Sequence, residues 1–335
     1  MAEEDQVGVL PQLAWAKQLC NGQIPPARGG HSAVLAESQL VVFGGHYYKG
    51  DSAFEYSNDV YVLDVESLTW QRVTCSGEVP EPRYGHSAVL VGSRMFVMGG
   101  KGSQGRLFRD MYFLDLIDWK WVPVNATTAG PTPRFEHATL LVGRKIVLHG
   151  GWDGNTRCMG DTWVFDTATF TWIQPRISGL PPSPRHGHTL NLLPDGRIVC
   201  FGGAGVDNMG VPLYYDDFRQ LDPEKMQWSK VRSSGMLPSA RMGHTCVLLG
   251  NRLVLFGGWG YGGCQCPEEG NKRQGAVTAL VFDIAKGKWS TTEHGGRPAQ
   301  HTYGHTCDTI AGTTMVFYGG WNGHEAVSDL VVMEC

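Results

Sequence analysis

The sequence predicts an all-β protein of six small sheets, each of four antiparallel strands, and three observations predict it. Glycine supplies 45 of 335 residues and charged residues only 18%, against roughly a quarter in an average globular chain, so tight turns alternate with apolar segments. Gly-Gly pairs end an apolar run at 44–45, 99–100, 150–151, 202–203, 257–258 and 319–320. A histidine stands before every pair and a strand-like hexamer after it, so the chain is six copies of one unit.

Within each unit the elements follow in order. The histidines are His31, His86, His137, His188, His244 and His305, and strand a follows each of them. Strand b is the apolar run into Gly-Gly. Strand c is the hexamer: DVYVLD (59–64), DMYFLD (110–115), DTWVFD (161–166), DFRQLD (217–222), TALVFD (278–283) and DLVVME (329–334). Strand d carries a Trp six residues beyond the last Asp, at Trp70, Trp121, Trp172, Trp228 and Trp289. Strands a and b lack a clean period of two because strands covered on both faces read as continuous apolar runs. The units span about 20–75, 76–126, 127–177, 178–232, 233–292 and 293–335 of a single domain, 1–335.

The sixth unit has no Trp after its hexamer. Each strand-d Trp precedes the next His by 16 residues, and 16 residues before His31 stands Trp15. Segment 13–19 is therefore the missing strand d, expected to pair with the hexamer at 329–334 and close the array into a ring without an exposed sheet edge.

HSAVL…VVFGG…DVYVLD…W in the first unit recurs as HSAVL…MFVMGG…DMYFLD…W in the second. This pattern resembles the kelch repeat over about residues 13–334. The resemblance implies a six-bladed β-propeller with one sheet per blade. The accessory dimerisation and cullin-binding modules of many kelch proteins have no counterpart in the sequence, so a bare, monomeric propeller is expected.

In such a blade the d–a and b–c connections share one face. The b–c loops are long and unequal, which favours this face for binding. They carry Tyr47, Tyr48, Phe54 and Tyr56, then Trp152, Tyr214 and Tyr215, Trp259 with Tyr261, and Trp321. Aromatic residues with arginine are the composition of protein-recognition hot spots. The d–a connections end in Arg-x-x-His groups beginning at Arg28, Arg83, Arg134, Arg185 and Arg241, with Thr302 in the sixth place. Resemblance to kelch propellers implies that these arginines line the channel mouth and bind carboxylates of a partner. Guanidinium suits that task through bidentate pairing. Packing within the blades is the competing reading of each arginine.

The expected function is a non-catalytic scaffold or adaptor that binds a peptide or loop, acidic or carboxylate-bearing, on the d–a/b–c face. Substrate recognition for a ubiquitin ligase is the alternative. A metal-dependent specifier-type or oxidase-type kelch enzyme is the alternative of another class. The iron-binding Glu-x3-Asp-x3-His of nitrile-specifier proteins is matched only partly, by Glu55/Asp59/Leu63, Glu325/Asp329/Met333 and Glu293/Arg297/His301. No oxidase ligand set or hydrolase motif is recognisable.

No cofactor and no metal are expected. The six histidines repeat one structural position. The Gly-Gly pairs lack the spacing and following helix of phosphate-binding loops, and serve close packing or positive φ. The last Asp of each hexamer is expected to cap the c–d turn. Cys264 and Cys266 have no second ligand pair at zinc-site spacing, so they read as part of an insert shaping the binding surface.

Charge excludes other classes. With 28 basic and 32 acidic residues, the net charge of −4 lacks the basic excess of nucleic-acid binders. No run of 18 apolar residues spans a membrane, and MAEEDQVGVL has no features of a secretory signal. Nine cysteines, several within apolar runs, are expected to be reduced thiols in the cytoplasm or the nucleus, which makes Asn125-Ala126-Thr127 a chance sequon.

Overall fold

Six twisted sheets stand radially around an axis in the computed structural model, which describes residues 13–48, 54–207, 209–261, 263–264, 279–291, 294–296 and 302–334. Blade 1 consists of strands a Ser32–Ala36, b Gln39–Phe43, c Val60–Asp64 and d Thr69–Val73. Blade 2 comprises Ser87–Val91, Arg94–Met98, Met111–Asp115 and Lys120–Pro123. Blade 3 comprises Ala138–Val142, Lys145–His149, Thr162–Asp166 and Thr171–Ile173. Blade 4 comprises Thr189–Leu192, Ile198–Phe201, Phe218–Asp222 and Gln227–Lys230. Blade 5 comprises Thr245–Leu249, Arg252–Phe256, Leu280–Asp283 and Lys288–Thr291. Blade 6 takes Thr306–Ile310, Thr314–Tyr318 and Leu330–Glu334 from the C-terminal end and Leu13–Lys17 from the N-terminal end.

Each strand a touches the strands a of both neighbouring blades, including 6 against 1, so the ring is complete. Its closure is the pairing expected from Trp15: Trp15 lies opposite Met333 and Lys17 opposite Val331. Gln18 N–H adds a bond to Leu330 O at 2.9 Å, and Lys17 Nζ meets Asp329 at 2.7 Å. Five of the six sheets add a short fifth strand outside the expected four, formed where the chain enters the blade, as at Asn21–Gly22 alongside Thr69 and Trp70.

The core is divided among the blade interfaces. Each of six apolar clusters joins two consecutive blades and contains one strand-d Trp, Trp15 included. That Trp packs against the previous blade's residue before Gly-Gly: Trp121 on Phe43, Trp289 on Phe201, Trp15 on Phe256 and Trp70 on Tyr318. At the 3/4 interface Trp228 meets His149 instead, and Thr162 pairs with the buried imidazole at 3.0 Å.

Both glycines of every pair have positive φ. A Cβ on Gly44 would stand 2.7 Å from His86 Cε1, and one on Gly45 2.9 Å from His31 Cβ. The pairs thus let strand b turn outward while two blades press together, and the phosphate-cradle reading has no support in this geometry. The Asp cap is present as expected: Asp64 accepts the backbone N–H groups of Glu66 and Ser67 at 3.1 and 2.7 Å, and Asp115, Asp166, Asp222 and Asp283 act in the same turn.

Candidate functional site

Where strand d of one blade leads into strand a of the next, the chain reads Arg-x-Gly-His or a close variant. The third residues of these tetrads form a closed ring of backbone hydrogen bonds. Gly85 N–H donates to Gly30 O, Glu136 to Gly85, Gly187 to Glu136, Gly243 to Gly187, Gly304 to Gly243 and Gly30 to Gly304, all within 2.6–2.9 Å. Every member is left-handed: five are glycines, and Glu136 takes φ 52°.

The second residues of the tetrads form the rim: Gly29, Tyr84, Phe135, His186, Met242 and Tyr303. Each bridges to the residue after Gly-Gly, respectively His46, Lys101, Trp152, Ala204, Trp259 and Trp321. The d–a and b–c connections therefore share one face, as the strand order requires. Gly29 is dictated by Trp321, whose Cδ1 would lie 2.1 Å from a Cβ at that position.

Together these side chains make an aromatic arc. Phe54 contacts Trp321 (5.8 Å between centroids), Trp321 contacts His46 (5.3 Å), and His46 contacts Tyr84 (4.3 Å). Tyr84 then meets Phe135 (5.7 Å), Phe135 meets Trp152 (5.4 Å), and Trp152 stacks on His186 (4.9 Å). His46, Tyr84 and Trp321 of the arc, with Tyr303, line a cavity of about 180 Å³ at the channel mouth. Glu136 projects there, accepting a 2.6 Å hydrogen bond from His186 Nδ1.

Below the mouth the repeated histidines bond from blade to blade through Nε2: His86 to Ser32 Oγ, His137 to Ser87 Oγ, His244 to Thr189 Oγ1, His305 to Thr245 Oγ1 and His31 to Thr306 Oγ1. At His188 the chain of bonds breaks, because Ala138 occupies the hydroxyl's place. Burial, reinforced by neighbouring arginines, pushes His86 and His137 down to about 3. These rings are neutral structural groups. Among the described residues no cluster of three or more His, Cys, Asp or Glu is arranged to hold a metal.

The arginines occupy a different place from the one expected. Arg28, Arg83, Arg134, Arg185 and Arg241 are 0–3% exposed, so the expectation that they line the channel mouth is corrected. Each Nη1 donates to the carbonyl of the first glycine of its own pair, and each Nε to the carbonyl two residues back. Arg83, Arg134 and Arg185 also clasp Asp110, Asp161 and Asp217 in bidentate pairs. The carboxylate expected from a partner is thus supplied by the first Asp of the hexamer, a match visible in the repeat register. Phe108 lies over Arg83 at 4.1 Å and Tyr215 over Arg185 at 4.3 Å. In blade 1 Arg72 takes Asp59, and Arg28 faces the Tyr61 ring at 5.1 Å. In blade 6, where Thr302 replaces arginine, Asp329 binds Lys17.

The aromatic candidates are brought together in part. Tyr48, 48% exposed, and Tyr261, 59% exposed, stand at the outer edge. Tyr47 donates its hydroxyl to Glu55 at 2.7 Å, and Tyr214 packs edge-on to Tyr261 at 5.0 Å. Trp152 and Trp259 are half-buried, whereas Trp321 is buried in the rim and Tyr215 faces its arginine. Cys264 begins the insert of blade 5, in a two-residue strand beside Trp259 and Gly260; Cys266 lies outside the described residues, as does the Glu293/Arg297/His301 triad. Residues missed from sequence are Glu136, His46, Tyr84, Phe135 and His186. Glu136 alone had a signal: it is the one non-glycine at the third place of the six tetrads.

Ring, blades and closing strand define the class as a six-bladed β-propeller. The model of the KLHDC2/KLHL20/DRC7 Kelch-repeats domain matches residues 47–258, and the chain belongs to this kelch-repeat family. It is 26% identical to acyl-CoA-binding domain-containing protein 5 of Arabidopsis thaliana over 97% of this chain and 49% of that protein. It is 28% identical to host cell factor 2 of Homo sapiens over 91% of this chain and 40% of that protein. With host cell factor 1 of Rattus norvegicus the identity is 29%, over 73% of this chain and 13% of that protein. The chain thus spans half or less of the length of these relatives. Kelch propellers are generally protein-binding domains and mostly non-catalytic, and none of these three relatives is named as an enzyme. Among the described residues no helix is long and apolar enough to cross a membrane.

Proposed function

We propose that this chain is a non-catalytic interaction module that docks a peptide segment or loop of another protein on the face bearing the d–a and b–c connections. The observation that carries this reading is the aromatic arc from Phe54 to His186, supported on a hydrogen-bonded ring and edged by the exposed ring of Tyr48, with Tyr261 exposed beside Tyr214 among the same b–c loops. Rigid aromatic rings provide contact area at little conformational cost, as hot spots do. The free thiols of Cys200 and Cys246, both buried, favour a reducing compartment, cytoplasm or nucleus.

Site-specific photo-crosslinking tests it. A photoreactive residue at Tyr48 or Tyr261 is expected to crosslink a partner captured from lysate, and one at Ile117, exposed in the c–d turn of blade 2, is expected not to. Crosslinks from Ile117 alone, or equally from both faces, refute the docking face.

A further inference from the structure

Among the described residues lining the mouth cavity, Glu136 is the one acidic side chain, and no Lys or Arg is present. Its carboxylate stays partly open, at 26% side-chain exposure, while bonded to His186. Its charge reaches both His46 and Tyr84 across the mouth. The floor beneath has no backbone donor to offer, because each ring N–H is already given to the next carbonyl. Burial holds His46 down at about 4, so its ring adds no positive charge at neutral pH. A carboxylate guest would meet the like charge of Glu136 with no cationic side chain in the lining to offset it.

We propose that the mouth receives a basic side chain, lysine or arginine, from the docked segment, its cation held between the Glu136 carboxylate and the rings of Tyr84 and Trp321 that line the cavity. This rests on the docking face proposed above and names the chemistry of its partner. Aromatic faces attract ammonium and guanidinium groups through the ring quadrupole, more strongly where water is displaced. The fold already seats one cation in this way, with Lys101 Nζ 5.1 Å from the centre of the Phe135 ring. At about 180 Å³ the cavity is below the roughly 300–1,000 Å³ of small-molecule sites, which suits one inserted side chain.

Glu136 also keeps a backbone conformation that side chains disfavour, at a place where the other five blades have glycine. Such outliers persist where the surroundings hold them and gather at functional sites. Two roomier clefts lie elsewhere. The larger, about 550 Å³ on the opposite face, has both of its arginines paired, Arg197 with Asp195 and Arg144 with Asp166.

The test is selection of a random-heptapeptide phage library against the purified chain, followed by affinity measurement of selected peptides on wild type, Glu136→Gln and Glu136→Gly. Glu136→Gln keeps shape and an acceptor for His186, and melting curves verify folding of both variants. Lys- or Arg-bearing peptides are expected to be enriched, to bind both variants at least tenfold more weakly, and to weaken with salt. Selected peptides without a basic residue, basic peptides bound undiminished by the folded variants, or no selected binder each overturn the proposal. Photo-crosslinking of the same peptides separates the two readings: attachment at Ile117 rather than Tyr48 or Tyr261 marks failure of the docking face. Non-basic peptides attached at Tyr48 or Tyr261 mark failure of the charge assignment alone.

Discussion

Arg134 spends its donors on Gly150 O, Thr132 and Asp161. Burial alone would raise the Asp161 carboxyl, but hydrogen bonds and charge from Arg134 outweigh it and hold Asp161 below the usual carboxylate range. Removing one partner of a buried pair costs about 3–5 kcal/mol. Arg134→Met is expected near the low end, about 3 kcal/mol in urea unfolding, because Asp161 is 27% exposed; a loss below 1 kcal/mol contradicts the structural assignment. Glu136 behaves oppositely. Left-handed backbone costs a side-chain-bearing residue about 1–2 kcal/mol, whereas its hydrogen bond to His186 returns about 1 kcal/mol. Glu136→Gly is therefore expected to leave stability unchanged or slightly raised, and a clear drop in melting temperature speaks against strain at this position.

At the level of the strand, the inner ring is tied by hydroxyls. Strand a begins with Ser32, Ser87, Thr189, Thr245 or Thr306 in five blades, each bonded to the next histidine, and with Ala138 in blade 3. Both nitrogens of His188 are left without a partner in the interior. Ala138→Ser is expected to complete the chain of bonds and stabilise the protein by about 1 kcal/mol, read as an increase in urea midpoint at constant slope. No gain, with His188 still unbonded in a crystal structure of the variant, refutes the register argument. These histidines and two other buried ones, His46 and His149, set the response to acid. Their folded pKa values lie below the unfolded value of about 6.5, with His86 and His137 near 3 and His46 and His149 near 4. Between these limits the unfolded chain binds protons that the folded chain refuses, so stability falls as pH drops below about 6.5. Asp308, pushed up to about 7 by burial on strand a of blade 6, acts in the opposite sense but is one group against several. The urea midpoint is expected to decline from pH 7 to pH 5, well before ordinary carboxylates titrate; a flat profile refutes the buried neutral histidines.

For the whole molecule, the ring closes through the two ends of the described chain. Trp15 is 3% exposed between blades 5 and 6, against Phe256 and Phe317 at 5.0 and 5.4 Å. Truncating a buried Trp costs about 3–5 kcal/mol, and deleting residues 1–20 also exposes the edge of Leu330–Glu334. Trp15→Ala is expected to lower the melting temperature of the entire propeller in one transition, and the deletion to lower it further. An unchanged melting temperature after the deletion removes the closure model. Because each core cluster is shared by two blades, the loss is expected to propagate around the ring rather than free one blade.

Register was legible from sequence because each repeat obeys the same steric demands. Gly-Gly must pack on two histidines, Asp must cap its turn, and Trp must fill the interface with the previous blade. Counting 16 residues back from His31 therefore located Trp15 without any structure. The six four-stranded sheets followed from the repeat, the propeller from its resemblance to the kelch pattern, and the shared face of the long loops from strand order. The fate of the arginines did not follow, because burial depends on neighbours far along the chain: Arg83 and Asp110, or Arg185 and Asp217, meet only when strand c folds back beside the loop. Sequence shows the charge of a side chain; the tertiary structure decides whether that charge is used inside. In this protein folding consumed the five repeated arginines within the blades and left Glu136 as the acidic side chain among the described residues lining the mouth cavity.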